Sequence, residues 1–187
     1  MLENKAKAKA IAKNKEFHTN KKWKLRLEDK VFAEWIKEQK RHILFFYGAA
    51  KNNLGKVGAG GVILDPNGNK IITYEWSLGE MTYTKVEAYN LLLGTRLLNK
   101  NAIKDPIIIG DSAIIIAALD AKRDFKSIVI NKIYQRIRTS FEILGKITIK
   151  HVLRNQNKDV DSHANKAIDR LVGVVKENNE VYEESIP

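Results

Sequence analysis

The apolar positions of this chain change their period along its length, and these changes predict the order of its elements. Three apolar runs separated by turn-forming residues predict the strands of an antiparallel meander: 43–49, 58–64 and 70–76. Two later runs predict further strands: 107–109 and 146–153. Helical spacing predicts four helices in this part of the chain: 87–98, 112–119, 127–144 and 157–175. The predicted order is βββαβααβα, which is an α/β domain.

The first 41 residues are predicted to lie outside that domain. Residues 1–20 are rich in Lys, Ala and Asn, which favours a basic arm without fixed structure, with a weak organelle-targeting helix as the alternative. Helical spacing of apolar residues over 25–37 predicts an amphipathic helix that either packs on the domain or binds a partner protein. Residues 42–175 form the predicted domain, and 176–187 an acidic tail.

The net charge of +11 is unevenly distributed. Residues 1–42 carry 13 Lys/Arg and 6 Asp/Glu, residues 43–170 carry 19 and 12, and residues 171–187 carry 1 and 4. The excess of +7 in each of the first two segments favours nucleic acid as a partner, because basic surfaces release counterions from phosphate backbones. A lysine-rich surface that only aids solubility is the alternative.

Composition also excludes several kinds of site. The chain contains no cysteine, so disulfides, thiolate zinc sites and cysteine nucleophiles are excluded. No apolar run approaches the length of a membrane span, and the N-terminus lacks the apolar core of a secretory signal. We therefore expect no membrane association and an intracellular location, in the cytoplasm or nucleus.

Four short blocks of sequence occur in order within the predicted domain. They are Phe45–Ala50 with Gly58–Ile63, Lys85–Tyr89, Gly110–Ser112, and His151–Asn157 with Val160–Asn165. In order and spacing they resemble the ribonuclease H family, in particular its reverse-transcriptase-like version in plant retroelements and their derivatives. The resemblance runs from about Ile43 to Leu171. It implies an α/β fold with a mixed five-stranded sheet, three antiparallel strands then two parallel ones, flanked by helices on both faces.

The resemblance also implies a site in which four carboxylates hold two Mg²⁺ ions. Glu87, Asp111 and Asp161 match three of these positions, but Tyr47 stands where the family has the Asp of its first strand. In-line hydrolysis of a phosphodiester needs two ions held by converging carboxylates. A phenol, with a pKa near ~10, supplies no charge at neutral pH. We therefore expect at most one weakly held Mg²⁺ or Mn²⁺ ion.

No other acid is expected to replace the missing carboxylate. Asp65 lies at the far hairpin turn, and Asp159 lies on a different part of the helix face from Asp161. The matching acids also have simpler interpretations. Asp111 could cap the following helix, and Asp161 could pair with a neighbouring lysine.

Further residues are candidates by position alone. His151 has the spacing of a mobile histidine that some family members carry near the metals, although the alternation of its neighbours places it in a strand. Tyr83-Thr84 replaces a substrate-contacting Asn pair of many relatives. The candidates for backbone contacts with nucleic acid are Asn52, Asn53, Lys56, Thr84, Arg154, Asn157 and Lys158.

Three functions are compatible with these patterns. The first is a retroelement-derived ribonuclease H-like domain that binds RNA/DNA hybrid or duplex RNA while hydrolysis is lost or strongly impaired, since backbone recognition needs no metal. The second is an active Mg²⁺-dependent ribonuclease H in which Tyr47 is tolerated. The third is a protein-interaction module that uses the helix at 25–37 or the acidic tail.

Overall fold

The computed structural model of the protein describes residues 24–25, 29–50, 56–112, 115–116, 119, 125–152, 158–168 and 170–186. These residues include the strands β1 (Lys24–Leu25), β2 (Ile43–Ala50), β3 (Lys56–Leu64), β4 (Lys70–Glu80), β5 (Ile107–Gly110), β6 (Thr148–Val152), β7 (Val174–Glu177) and β8 (Glu180–Glu183). They also include the helices α1 (Asp29–Gln39), α2 (Tyr83–Lys100), α3 (Ile128–Leu144) and α4 (Lys158–Ile168). The predicted arm at 1–20, and most of the predicted helix at 112–119, lie outside them.

Strands β2, β3 and β4 form the predicted antiparallel meander. Tyr47 pairs with Gly60, and Gly60 in turn pairs with Glu75 on β4. The β3–β4 turn closes through a 2.9 Å hydrogen bond from the Gly68 N–H to the Asp65 carbonyl. Gly68 has a φ of 85°, a conformation that side chains disfavour. The turn chemistry predicted from the sequence is therefore confirmed.

The parallel strands bring the candidate site residues to one edge of the sheet. Strand β5 pairs with β2, and β6 pairs with β5, both in parallel. The register places Phe46 beside Gly110, and Gly110 beside His151. Tyr47 and Asp111 therefore each lie one residue beyond the last pair of the β2–β5 register, towards the carboxyl ends of these adjacent strands, where α/β sheets commonly bind ligands.

Arg41 lies at the opposite end of these strands, where β5 and β6 begin. Its guanidinium donates four hydrogen bonds of 2.7–3.2 Å, three to carbonyls at the starts of β5 and β6 and one to the Thr148 hydroxyl. This group therefore crosslinks the starts of three strands.

Helices cover both faces of the sheet, as the resemblance implies. Side chains of α2 and α3 form one buried cluster with Leu44 and Phe46. Phe32 of α1 and Ala164 and Ile168 of α4 form a second cluster with the intervening residues of β2, including Tyr47. Because successive side chains of a strand point to opposite faces, β2 contributes to both cores and is buried on both sides.

The C-terminal end of the predicted domain differs from the prediction. The helix predicted over 157–175 ends at Ile168, and Val174–Glu177 instead pairs with β4 as strand β7. Residues assigned to the acidic tail form β8, which pairs with β7. The apolar residues of this segment fit either period, and the unpaired edge of β4 decides in favour of a strand.

The predicted helix at 25–37 also begins later than expected. It spans Asp29–Gln39, whereas Lys24–Leu25 pairs in parallel with His151 and Val152 of β6. Together these short strands extend the five predicted strands to a sheet of eight within the described residues, in the order β1-β6-β5-β2-β3-β4-β7-β8. Phe32 packs α1 onto the domain, which supports the packing interpretation of this helix.

Candidate functional site

The candidate site lies where β2 and β5 end beside α2 and α4. Glu87 is on the second turn of α2, and α4, which carries Asp161, lies against β2 and β3. Glu87 and Asp111 are close enough to repel each other electrostatically. The structure thus brings Tyr47, Glu87 and Asp111 to one edge, whereas the side chain of Asp161 lies outside the described residues.

Glu87 is fully buried and is held by the backbone of β2. Its Oε1 accepts a 2.7 Å hydrogen bond from the Gly48 N–H. A Cβ at residue 48 would stand 2.5 Å from that oxygen, so only glycine permits the close approach. The second carboxyl oxygen, Oε2, is buried without a hydrogen-bond partner. A buried carboxylate in this state is costly, and such groups concentrate at functional sites.

The surroundings of Glu87 favour its neutral form. Burial, and then the negative charge of Asp111, raise the pKa of Glu87 from 4.5 to about 8. Hydrogen bonds from the Gly48 N–H and the Tyr83 side chain act in the opposite direction without cancelling the shift. At neutral pH this carboxyl group therefore carries a proton in the protein without metal.

Asp111 directly follows β5 and is fixed through its backbone. The Nε2 of His151 lies 3.0 Å from the Asp111 carbonyl, and since a carbonyl only accepts, this nitrogen donates. His151 is buried within β6 and does not lie in a loop, so the position does not fit that of a mobile loop histidine. The hydroxyl of the next residue, Ser112, accepts from the Ile115 N–H at 3.4 Å.

Tyr47 fills the position expected for the first-strand carboxylate. It is 1% exposed and belongs to the apolar cluster of β2, α1 and α4. Its backbone is held by Asn90, whose Nδ2 donates to the Tyr47 carbonyl at 2.6 Å and to the Gly60 carbonyl at 2.9 Å. The Oδ1 of Asn90 accepts from the Tyr74 hydroxyl at 2.7 Å. The ring is therefore part of a packed core on a fixed backbone.

The described residues at this edge of the sheet do not form a two-ion metal centre. Within the described part of the chain, no group of three or more His, Asp or Glu side chains is placed to hold a metal ion. The neutral phenol of Tyr47 is buried here, and in the absence of a metal ion the buried Glu87 favours its protonated form. Hard divalent cations need several ionised oxygen ligands, and the described side chains at this edge supply fewer than the four carboxylates that the resemblance implies.

The remaining sequence candidates are distributed around this edge or lie outside the described residues. Lys56 opens β3 and is exposed, and Thr84 is half-buried in the first turn of α2. Asp65 accepts from the N–H groups of Asn67 and Asn69, both at 2.9 Å, so it stabilises the far turn. Four candidates lie outside the described residues: Asn52, Asn53, Arg154 and Asn157. The side chain of Lys158 does as well.

Sequence reasoning missed a buried ionic cluster on the α4 face of the sheet. Glu75 of β4 is 4% exposed, and its Oε1 lies 2.8 Å from Nδ1 of His163 on α4. Its Oε2 lies 2.7 Å from Nη2 of Arg170. The one available signal was a charged residue at an inward position of an apolar strand. The cluster fixes α4, and with it the backbone of Asp161, against the sheet.

Comparison with known families identifies the region that contains this site. The sequence profile of the reverse transcriptase-like family matches residues 45–167, about two-thirds of the chain. A search of curated protein sequences found no significant match. None of the described helices combines the length and the apolar composition that a membrane span requires.

Several solved ribonuclease H structures share the fold. The ribonuclease H1 of Halobacterium salinarum superimposes with a TM-score of 0.64 at 24% identity, over 69% of this chain and 98% of that one. The N-terminal ribonuclease H domain of a Mycobacterium tuberculosis protein gives 0.64 at 20% identity, over 68% and 93%. LC11 ribonuclease H1, isolated from compost, gives 0.63 at 22% identity in its complex with an RNA/DNA hybrid, over 69% and 97%.

Proposed function

Because the chain belongs to the reverse transcriptase-like family and has the ribonuclease H fold, we propose that it binds RNA/DNA hybrid or duplex RNA and that its hydrolytic activity is lost or strongly impaired. The observation that carries this proposal is the buried ring of Tyr47 at the first-strand position. Mg²⁺ or Mn²⁺ is expected to bind weakly, with one ion at most.

The loss of hydrolysis follows from the chemistry of the position. A carboxylate would offer two cations a pair of oxygens that share a negative charge, whereas a neutral phenol offers one uncharged oxygen. Residues that only support the ligands of a metal already cost about 10–100-fold in affinity or activity when changed. Replacement of a bridging ligand is expected to cost more than that.

The binding half of the proposal rests on features that need no metal. Residues 43–170 carry a net charge of +7. Phosphate contacts and the shape of the duplex can be recognised without hydrolysis. Lys56, at the start of β3, and Thr84, in the first turn of α2, lie at the end of the sheet that carries the candidate site. The ribonuclease H1 structure solved with an RNA/DNA hybrid gives a precedent for this ligand in a similar fold.

The decisive experiment compares two variants of Tyr47 that differ only in charge. Tyr47→Asp supplies a carboxylate, and Tyr47→Asn has the same size without charge. We expect Mg²⁺-dependent cleavage of the RNA strand of a labelled hybrid from Tyr47→Asp, and background cleavage from Tyr47→Asn and from the wild type. Tyr47→Ala tests whether removal of the ring alone restores activity, which we do not expect.

Two outcomes would contradict the proposed function. Wild-type cleavage at the rate of Tyr47→Asp would identify an active ribonuclease H that tolerates the tyrosine. Absence of hybrid or duplex RNA binding at ~50 mM salt, where phosphate contacts are strong, would contradict the nucleic-acid function and favour a protein-interaction module.

A further inference from the structure

A groove with a basic lining runs between α2 and α3, away from the candidate site. It has a volume of about 430 Å³ and is lined by Leu92, Arg96, Lys132, Gln135, Arg136, Thr139 and Ser140. We call it the basic groove. Arg96 follows Glu87 by nine residues on α2, which is about 13 Å along the helix axis. The groove is therefore a surface separate from the carboxyl edge of the sheet.

The lining carries three cationic side chains and no acidic one. Arg96 is held by Glu184, with 2.8 Å between Nη1 and Oε1. Lys132 and Arg136 are exposed, and among the described residues neither has an ion-pair partner. They stand four residues apart on α3, and like charges at this spacing destabilise a helix. A ligand with negative charge would remove that repulsion.

The other lining residues suit a phosphate ligand. Leu92 provides an apolar floor and is 1% exposed. Gln135, Thr139 and Ser140 add neutral polar groups along the same helix face as the cations. A guanidinium binds phosphate oxygens through two parallel hydrogen bonds, and a lysine ammonium binds them as a point charge. Two cations one helical turn apart are better placed to contact two successive phosphates of a nucleic-acid backbone than a single small anion.

We propose that the basic groove binds the phosphodiester backbone of a nucleic acid, as a second contact surface beside the carboxyl edge of the sheet. This inference rests on the proposed nucleic-acid binding, but it involves different residues and a different helix face. Binding there requires neither the retained acids nor a metal ion.

The first test measures the salt dependence of hybrid binding by Lys132→Gln/Arg136→Gln in the full chain. The observed binding constant should vary less steeply with salt, with the logarithmic slope reduced by about 1–2, since each phosphate contact contributes about 0.9 for a duplex. The control is Lys30→Gln/Lys37→Gln on α1, which removes the same charge from exposed positions on the opposite face of the sheet. Its slope should remain that of the wild type.

The outcomes separate this inference from the proposed function. Unchanged binding and slope for Lys132→Gln/Arg136→Gln overturn the groove while nucleic-acid binding stands. An equal reduction in the α1 control shows that only net charge matters, which also overturns the groove. Failure of the wild type to bind any nucleic acid overturns both proposals.

A second measurement locates the ligand directly. Because the chain has no cysteine, Ser140→Cys introduces a single thiol in the basic groove that can carry a fluorophore. Addition of hybrid should change its emission, whereas a label at Asn67→Cys in the exposed β3–β4 turn should not respond. Equal responses at both labels, or none at residue 140 while binding is seen by another method, would contradict the proposed location.

Discussion

The two faces of the sheet each bury one glutamate, and the two carboxyl groups have opposite surroundings. Glu75, on the α4 face, has His163 within 2.8 Å of one oxygen and Arg170 within 2.7 Å of the other. Glu87, on the α2 face, receives hydrogen bonds from the Gly48 N–H and the Tyr83 side chain and lies near the negative charge of Asp111. The first charge is compensated by its neighbours and the second is not.

This difference separates a structural ionic group from a ligand position. Breaking a compensated buried pair is costly, so its residues act together to hold the fold. A buried carboxyl group without compensation destabilises the protein unless a ligand or a proton neutralises it. The α2 face therefore carries a buried carboxyl group without a compensating charge, whereas the α4 face is packed around Tyr47 and the Glu75 cluster.

The largest expected effect is on the pH dependence of stability through Glu87. Its folded pKa of about 8 exceeds 4.5, so the folded state holds a proton that the unfolded state releases. The contribution of the neutral Glu87 to the free energy of unfolding is complete below pH 4.5 and is lost as the pH rises towards 8. Each pH unit above 4.5 lowers the free energy of unfolding of the wild type by about 1.36 kcal/mol, so the loss at pH 7 is about 3 kcal/mol.

Glu87→Gln removes this titration and keeps the shape of the neutral acid. We expect the variant to be more stable than the wild type by about 3 kcal/mol at pH 7 and equally stable at pH 4. Urea unfolding across this range measures the difference, and other titrating groups cancel in the comparison. Parallel stability curves for the two proteins would show that Glu87 ionises normally and that the contrast between the faces is wrong.

The same substitution on the other face should have the opposite sign. Glu75→Gln leaves Arg170 without its counter-charge, and we expect a loss of about 2 kcal/mol at pH 7, less than for a fully buried pair because Arg170 is partly exposed. Urea unfolding gives the value. Glu177→Gln is the control, since its partner Lys100 is 3.5 Å away and 65% exposed, and about 0.5 kcal/mol or less is expected. Equal losses in the two variants would contradict a structural role for the cluster.

The contrast between the faces also shows what the sequence could predict. The meander and the helix of Glu87 follow from local period and turn chemistry. The resemblance predicts Glu87 and Asp111 as site residues, and the structure brings them close enough to interact electrostatically. The sequence did not predict the Glu75 cluster, because 88 positions separate Glu75 on β4 from His163 on α4. Ion pairs between distant segments leave no local pattern.

The ends of elements were missed for the same physical reason. Leu171, Val172, Val174 and Val175 fit a helix as well as a strand, and the edge of β4 selects the strand. Asn90 was also missed, since its two bonds to β2 and β3 depend on the register of these strands. Local sequence thus predicts the elements and the acids, whereas pairing between distant segments determines boundaries and supports.

The smallest effects are expected from two glycines that let helices approach the two faces. A Cβ at residue 48 would stand 2.5 Å from Glu87 Oε1, whereas a Cβ at residue 58 would stand 2.4 Å from the Ala164 carbonyl oxygen. Gly48→Ala therefore meets a side chain and Gly58→Ala meets the backbone of α4. Each is expected to cost about 1–2 kcal/mol as overpacking.

A second substitution distinguishes the two causes of strain. In a Glu87→Ala background the closest contact of Gly48→Ala is absent, so its cost should fall by about 0.5–1 kcal/mol, the size expected for residues in contact. In an Ala167→Gly background Gly58→Ala still meets the Ala164 carbonyl, so most of its cost should persist. Thermal or urea unfolding of both double-mutant cycles gives the coupling energies. The opposite result would be a large fall in the cost of Gly58→Ala in the Ala167→Gly background and no fall in the cost of Gly48→Ala in the Glu87→Ala background. It would mean that backbone packing limits the approach of α2, whereas side-chain packing limits the approach of α4.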